Sequence, residues 1–248
     1  MTPWQDVATL AAGIGAGTIN TIVGSGSLVT FPALVALGYP PVVANMSNRV
    51  GLVPGSLSGA IGYRRELTGQ RRRAGLLSVV SAVGGLLGAA LVLVLPESAF
   101  NAVVPALIVL AIVLVIVQPK LSEWTARRGG THDRVPGMLA GTFGASVYGG
   151  YFGGQGVILM GVLGVFAHDE LQRINAVKNV SAGIANLFAA LLFVVVAHVA
   201  WTVAGLIAAG SIVGGQIGAR IGRRLPPLVL RIVIVLVGLA GLARLLLG

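Results

Sequence analysis

Two glycine-containing breaks within apolar sequence carry the residue types most suited to binding an anion. They read Gly24-Ser25-Gly26-Ser27 and Gly153-Gly154-Gln155-Gly156, and a short apolar arm follows each one, at 27–37 and 156–167. A helix start offers unpaired N–H groups and the positive end of the helix dipole, and both attract anions. Glycine lets the backbone approach a ligand closely. The pattern predicts an anion site at the breaks; the alternative is that these glycines only permit close helix packing.

A polar cluster opens the long apolar segment that follows each arm. The first cluster contains Asn45, Ser47, Asn48 and Arg49, and the second contains Asn175, Lys178 and Asn179. A cation inside a membrane segment is costly unless it is hydrated or paired, so it is a functional candidate. No Asp or Glu lies in the core of an apolar segment to neutralise it. The alternative for both cations is that they extend to the nearer membrane interface.

These two patterns define a candidate substrate site. We expect no catalytic residue, metal ligand or cofactor there. Ser25 or Ser27 with a distant histidine loosely resembles a membrane serine protease dyad, but no histidine lies mid-segment and no HExxH is present, so we expect no enzyme. The candidate ligands are Gly24, Ser25, Gly26, Ser27, Asn45, Asn48, Arg49, Gly154, Gln155, Gly156, Asn175, Lys178 and Asn179.

The composition places these residues in a membrane protein. Of 248 residues, 56% are hydrophobic and only 10% are charged, and the mean hydropathy is +0.93. Soluble domains carry about a quarter charged residues. The net charge of +10 comes from basic residues in short connections, where they act as topology signals. We therefore expect an all-α polytopic protein that binds no nucleic acid.

The basic connections also predict the orientation of the segments. Arg64 to Arg73, the region from Lys120 to Arg134, and Arg220 to Arg224 are basic and are expected inside. The turns at 96–98 and 198–200 carry no Lys or Arg and are expected outside. Apolar segments long enough to cross the membrane lie at 7–23, 42–62, 74–95, 100–117, 136–152, 175–197, 201–222 and 229–247.

An internal repeat relates the two halves of the chain. A shift of 130 residues aligns 83–89 with 213–219, Leu95-Pro96 with Leu225-Pro226, and Asn45 with Asn175. The same shift aligns the two glycine breaks. Since 64–73 is expected inside and its counterpart 194–203 outside, the repeats are predicted to be inverted, as in many secondary transporters.

Inversion requires an odd number of crossings in each half, so each break is predicted to form the tip of a helical hairpin. The predicted first repeat is 1–118, with hairpin 7–37 and helices 42–62, 74–95 and 100–117. A cytoplasmic linker covers 119–135. The second repeat is 136–248, with hairpin 136–167 and helices 175–197, 201–222 and 229–247. The N-terminus is then outside, and the two tips enter from opposite faces.

The motifs resemble those of the TauE/SafE (sulfite exporter, TSUP) family of membrane permeases. The resemblance rests on Gly24 to Ser27 with Phe31-Pro32 and on the cluster from Pro41 to Ser47. The corresponding residues of the second half, at 153–156 and 175–179, also contribute to it. It covers about residues 7 to 247. It implies transport, usually outward, of small sulfur-containing anions such as sulfite, sulfoacetate and other sulfonates. Relatives often have three successive glycines where this chain has Gly24-Ser25-Gly26.

The expected function is a secondary transporter of the bacterial inner membrane that works by alternating access at a midplane site. A passive anion channel and a membrane subunit of a larger transport complex are the alternatives. The expected partners are a small anion and the lipid bilayer. Export is expected either as a uniport or with a coupling ion (H⁺ or Na⁺) as a further partner. The chain is expected to be a monomer or a homodimer.

Overall fold

The chain folds into apolar helices, two of which are short and follow the glycine breaks. The computed structural model describes residues 2–127 and 134–221 together with single positions between 232 and 243, and of 118–127 only the backbone. No strand occurs in these residues. The helices, in chain order, are α1 (Pro3–Ile22), α2 (Ser27–Ala36), α3 (Pro41–Gly62), α4 (Arg71–Val94), α5 (Glu97–Arg127), α6 (Val135–Tyr151), α7 (Gly156–Phe166), α8 (Leu171–Val196) and α9 (Trp201–Ile221).

Local sequence explains where the helices start and stop. Thr2 caps α1 in a reciprocal capping box with Gln5, and Pro3 occupies the first turn, where its missing N–H is not needed. Pro41 likewise opens α3. α4 ends just before Leu95-Pro96, since proline cannot continue the hydrogen-bond ladder. The all-helical prediction is confirmed for the described residues.

Most predicted segments match an observed helix to within a few residues at either end. α5 continues to Arg127, so its backbone extends into the stretch 119–135 that the sequence predicts as a linker. The predicted helix 229–247 lies outside the continuously described residues.

Four of the described helices are long and apolar enough to cross a membrane: α4, α5 over Glu97–Val117, α8 and α9. α2 and α7 are shorter apolar helices. α3 is long enough, but its mean hydropathy is lowered by polar side chains such as Asn45, Asn48 and Arg49, which are buried. These polar residues face protein rather than lipid, so α3 belongs to the interior of the bundle.

Glycines allow the helices to pack with their backbones in contact. α1 lies along α9, where a Cβ on Gly17 would be 2.4 Å from Ser211 O, and α6 lies along α4, where a Cβ on Gly88 would be 2.1 Å from Val147 O. Such small-residue contacts are typical of membrane helix pairs. They hold the long helices as a scaffold around α3 and α8.

The packing partners follow the 130-residue shift found in the sequence. The shift converts α1 into α6 and α4 into α9, so the pairs α1·α9 and α6·α4 correspond. A Cβ on Gly85 would lie 2.5 Å from Ala185 O, and one on Gly215 would lie 2.7 Å from Gly55 O. Gly85 and Gly215 are 130 residues apart, and so are Gly55 and Ala185. The shift therefore relates the two contacts to each other.

Candidate functional site

The tips of the two hairpins touch each other. The amide N–H of Gly156 donates to Gly24 O at 3.0 Å, and a Cβ on Gly24 would lie only 2.3 Å from Gly156 Cα. Gly24 has φ +91°, and Gly153 and Gly154 have φ +108° and +68°, values that L-residues other than glycine rarely adopt. Backbone conformation and close approach therefore both require glycine at the first tip.

Arg49 is buried beside the second tip. Its side chain is 0% exposed, and Nη1 donates to Asn186 Oδ1 at 3.0 Å. Nη2 lies 3.6 Å from the point where Gly153 would carry a Cβ. Among the described residues, Nε and Nη2 find no hydrogen-bond acceptor. A buried guanidinium thus presents two unused N–H-bearing nitrogens beside the tip.

Asn186 positions this guanidinium and the tip together. Its Oδ1 accepts from Arg49 and also from Gln155 Nε2 at 3.2 Å, and Gln155 Nε2 additionally lies 3.1 Å from Ala182 O. Asn186 is not among the ligands predicted from the sequence. It could have been found as an isolated amide within the apolar part of α8.

Lys178 has a different environment at the end of α1. Its Nζ is fully buried and lies 3.2 Å from Thr21 O and 3.4 Å from Asn20 O. Asn179 Nδ2 also donates to Thr21 O, at 3.2 Å. The last carbonyls of a helix lack intrahelical partners and carry its negative dipole end. Lys178 is therefore a cation bound to the first hairpin.

Each polar cluster contacts the hairpin of the other half. Asn45 on α3 donates from Nδ2 to Tyr151 O, the last carbonyl of α6, at 2.9 Å. Lys178 and Asn179 on α8 contact Thr21 on α1, and Thr21 and Tyr151 are 130 residues apart. The two clusters and the two tips consequently form one connected polar region.

The remaining predicted ligands divide between this region and its surroundings. Asn48 accepts a hydrogen bond from Thr30 Oγ1, and its Nδ2 has no acceptor among the described residues. The buried Ser25 Oγ is likewise unpartnered there.

Ser27 Oγ lies 2.5 Å from where a Cβ of Gly153 would stand. Gly26 packs against Ala16 O. Asn175 is buried with an unpaired Oδ1, and the described hydrogen bonds do not join it to either tip.

Ser47 and Asn20 serve to hold the site in place. Ser47 Oγ accepts from Ala200 N at 2.9 Å and so anchors α3 to the connection before α9. Asn20 Nδ2 donates to Ser56 Oγ at 3.2 Å, which joins α1 to α3. Asn20 is a second residue that is absent from the predicted ligands, and its signal in the sequence is also an amide inside an apolar segment.

The buried region is positively charged. Within the described residues, neither Arg49 nor Lys178 has a carboxylate within salt-bridge distance. No cluster of three or more His, Asp or Glu side chains that could hold a metal ion occurs there either. A buried cation without a counter-ion is expensive, and a bound anion would offset that cost.

The carboxylate of Asp169 lies instead in the connection between α7 and α8. Its oxygens are 2.8 Å from Arg73 Nη1 and 2.7 Å from Arg173 Nε. Partial burial alone would raise the pKa of Asp169, but hydrogen bonds from Arg73, from the Glu170 N–H and from Arg173 outweigh it and hold that pKa below its usual value. Asp169 thereby ties the start of α4 to the start of α8.

Comparison with known proteins identifies the family. A family profile described as "Sulfite exporter TauE/SafE" matches residues 9–245. The chain belongs to this family. The TauE/SafE chain is 28% identical over 203 residues to a "Probable membrane transporter protein" of Haemophilus influenzae, with 82% of this chain and 79% of the relative covered. It is 28% identical over 245 residues to "Probable membrane transporter protein ORF9" of Sinorhizobium sp, covering 93% and 88%.

A third relative has the same kind of name. "Probable membrane transporter protein YfcA" of Escherichia coli (strain K12) is 26% identical over 213 residues, which cover 80% of this chain and 74% of the relative. No solved structure gives a significant match. The TauE/SafE assignment and the apolar helices together make the chain a multi-pass membrane protein of a transporter family, as its sequence motifs predict.

Proposed function

We propose that the chain is a secondary transporter that exports small sulfur-containing anions such as sulfite, sulfoacetate or other sulfonates. The observation that carries this proposal is the buried Arg49 guanidinium, whose Nε and Nη2 have no acceptor among the described residues. A guanidinium edge matches the oxygens of an oxyanion in a bidentate arrangement. The family name supports the sulfur class of the substrate.

We propose further ligands for the anion from the same buried polar region as Arg49. Asn48 Nδ2 and Ser25 Oγ are buried hydrogen-bonding atoms without a partner in the described structure. The N–H of Ser27, the first of α2, would add a further donor at the first tip, whereas that of Gly156, the first of α7, already donates to Gly24 O. Lys178 contributes positive charge from the end of α1, where two carbonyls hold its Nζ. A small oxyanion bound here would accept hydrogen bonds from donors on several sides.

Alternating access is supported by the way the tips close on each other. The Gly156 N–H to Gly24 O bond joins the hairpins directly, and the neighbouring Arg49 and Ser25 are fully buried. An open anion channel would require a continuous path past these groups. We propose that one hairpin moves against the other and exposes the site first to one side and then to the other.

The inverted repeat belongs to the same proposal, with the N-terminus outside the bacterial inner membrane. The exchange of partners between α1·α9 and α6·α4 supports the repeat. Thr68 and His198 are exposed and are 130 residues apart, and the proposal places them on opposite sides. The sequence has no cysteine, so Thr68→Cys and His198→Cys each give a single labelling site. Labelling of both from the same side of intact cells would contradict inversion.

We further propose that the chain acts without catalysis and needs no cofactor or nucleic acid. Export of an anion from a cell that is negative inside is electrically downhill, so a uniport suffices; an H⁺ or Na⁺ coupling ion would make transport depend on the gradient of that ion. The transporter would be a monomer or a homodimer.

The test uses purified protein in liposomes. We expect internal sulfite or sulfoacetate to accelerate uptake of external labelled sulfite, with saturation, and each anion to raise the thermal unfolding temperature. Chloride serves as the control anion. Non-saturating flux with single-channel currents would favour the channel, and absence of both exchange and stabilisation would show that the substrate class is wrong.

A further inference from the structure

A separate arginine-lined surface lies at the start of α4, away from the hairpin tips. A cavity of about 580 Å³ is lined by Arg64, Leu67, Thr68, Gly69, Arg71 and Arg72. An adjoining cavity of about 360 Å³ shares Gly69 and Arg72 and adds Arg73, Leu76, Asp169 and Arg173 to its walls. We call these two adjoining cavities the arginine pocket.

Within the described residues, the arginine pocket has more positive than negative charge. Asp169 is its carboxylate, and both of its oxygens are already bound by Arg73 and Arg173. Arg64, Arg71 and Arg72 form no ion pair within the described residues. Arg64 Nη1 donates a long hydrogen bond, of 3.4 Å, to the uncharged Ile61 O. Guanidinium groups arranged around a concavity bind phosphate oxygens in preference to most other ligands.

An apolar track leads from the arginine pocket along the outer face of α4. Leu76 is 44% exposed and lines the pocket itself. The exposed residues continue at three- and four-residue spacing, which keeps them on one helix face: Arg72, Leu76, Val79, Val83 and Leu87. The opposite face of α4, with Leu77, Ser81, Gly84 and Gly88, is buried against protein. At 1.5 Å per residue the track from 72 to 87 is about 22 Å long.

We propose that the arginine pocket binds the phosphate of an anionic phospholipid, whose acyl chain lies on the track. A phosphate group satisfies Arg64, Arg71 and Arg72, and the acyl chain covers the exposed leucine and valine side chains. A free phosphate would use the same arginines but would leave the track to bulk lipid. Basic pockets beside membrane helices are known to hold such headgroups. Because the pocket abuts the Asp169 network that joins α4 to α8, a bound lipid would stabilise that junction.

The test compares two variants of equal charge. Arg64→Gln/Arg71→Gln/Arg72→Gln removes the three unpaired arginines. Arg65→Gln/Arg134→Gln/Arg220→Gln removes three exposed arginines that do not line the arginine pocket. Delipidated protein is mixed with phosphatidylglycerol, with phosphatidylcholine or with inorganic phosphate, and thermal unfolding and bound lipid (by native mass spectrometry) are measured.

We expect phosphatidylglycerol to raise the unfolding temperature by several degrees more than phosphatidylcholine in the wild type and in the control variant. The pocket variant should lose this difference and at least one bound phosphatidylglycerol. Equal stabilisation by inorganic phosphate would overturn the lipid assignment in favour of a free anion. Equal lipid binding by both variants would overturn the site.

Arg72→Gln alone provides a second variant if the triple change prevents membrane insertion. Arg72 lines both cavities and begins the apolar track, so this variant should lose a measurable part of the phosphatidylglycerol effect. An unchanged effect would count against the proposal. None of these measurements uses sulfite, so they are independent of the proposed transport function.

Discussion

Replacing Arg49 by methionine should weaken anion binding while leaving the unliganded protein at least as stable. Methionine keeps an unbranched apolar side chain but removes the guanidinium. Nε and Nη2 have no acceptor among the described residues and are the ligand contacts that we propose, and a hydrogen bond to a charged group is worth about 1.5–3 kcal/mol. Loss of both corresponds to about 10²- to 10⁴-fold weaker anion binding.

The expected stability has the opposite sign. Burying a cation without a counter-ion costs several kcal/mol, and removing it often stabilises a protein. The Nη1 bond to Asn186 is lost, but Asn186 Oδ1 still accepts from Gln155 Nε2, so no acceptor is left orphaned. The unliganded Arg49→Met protein should therefore unfold at the same temperature as the wild type or higher.

The assay is thermal unfolding of purified protein with and without sulfite, followed by counterflow in liposomes. Arg49→Lys is the matched variant, because it keeps the charge and loses the two-pronged donor edge; its affinity should be intermediate. A lower unfolding temperature for Arg49→Met, together with a full sulfite-induced shift, would refute the reasoning and make Arg49 a structural residue.

Three further perturbations test other contacts in the structure. Lys178→Met should lower the unfolding temperature, in contrast to Arg49→Met, since it leaves Asn20 O without its donor, and no loss would contradict the assignment. Gly24→Ala and Gly38→Ala both place alanine at φ +91°, and this conformation costs about 1–2 kcal/mol. The two variants differ in their contacts, because a Cβ at Gly24 would meet Gly156 whereas one at Gly38 would meet nothing within 4 Å. Gly24→Ala should therefore be the more destabilising by about 1–3 kcal/mol in denaturant unfolding, and equal effects would exclude the tip contact. The depressed pKa of Asp169 means that its stabilisation is complete above the ordinary aspartate value of about 3.9 and is lost as pH falls through the lower folded value. Asp169→Asn should thus be less stable than the wild type at pH 7 and approach it near pH 3, and a constant difference would contradict the ion network.

The sequence allowed the helices and the two breaks to be predicted because both depend on local chemistry. Long apolar runs, Pro41 at a helix start and the glycines of each break are visible without any knowledge of packing. The same glycines could not show which backbone they approach. That Gly24 contacts Gly156 depends on how two hairpins, separated by more than a hundred residues, are brought together by α3 and α8.

The roles of the two cations were also beyond the sequence. Arg49 and Lys178 occupy nearly equivalent register positions, and the sequence treats them as similar charges that either bind substrate or extend to the interface. In the structure both are fully buried. Lys178 is held by carbonyls at the end of α1, and Arg49 keeps two nitrogens unused beside the second tip. The difference arises from which helix end each side chain meets.

This asymmetry bears on how a site built from two similar halves can release its ligand. If both cations were free to bind the anion, the site would hold a monovalent oxyanion between two full charges and release it slowly. Since Lys178 is largely satisfied by Asn20 O and Thr21 O, Arg49 would supply the principal direct contact. The Lys178 charge would then act mainly through the position of the first hairpin. A movement of α1 that separates Lys178 from those carbonyls would couple the position of the hairpin to the charge that acts on the anion, as the proposed alternating access requires.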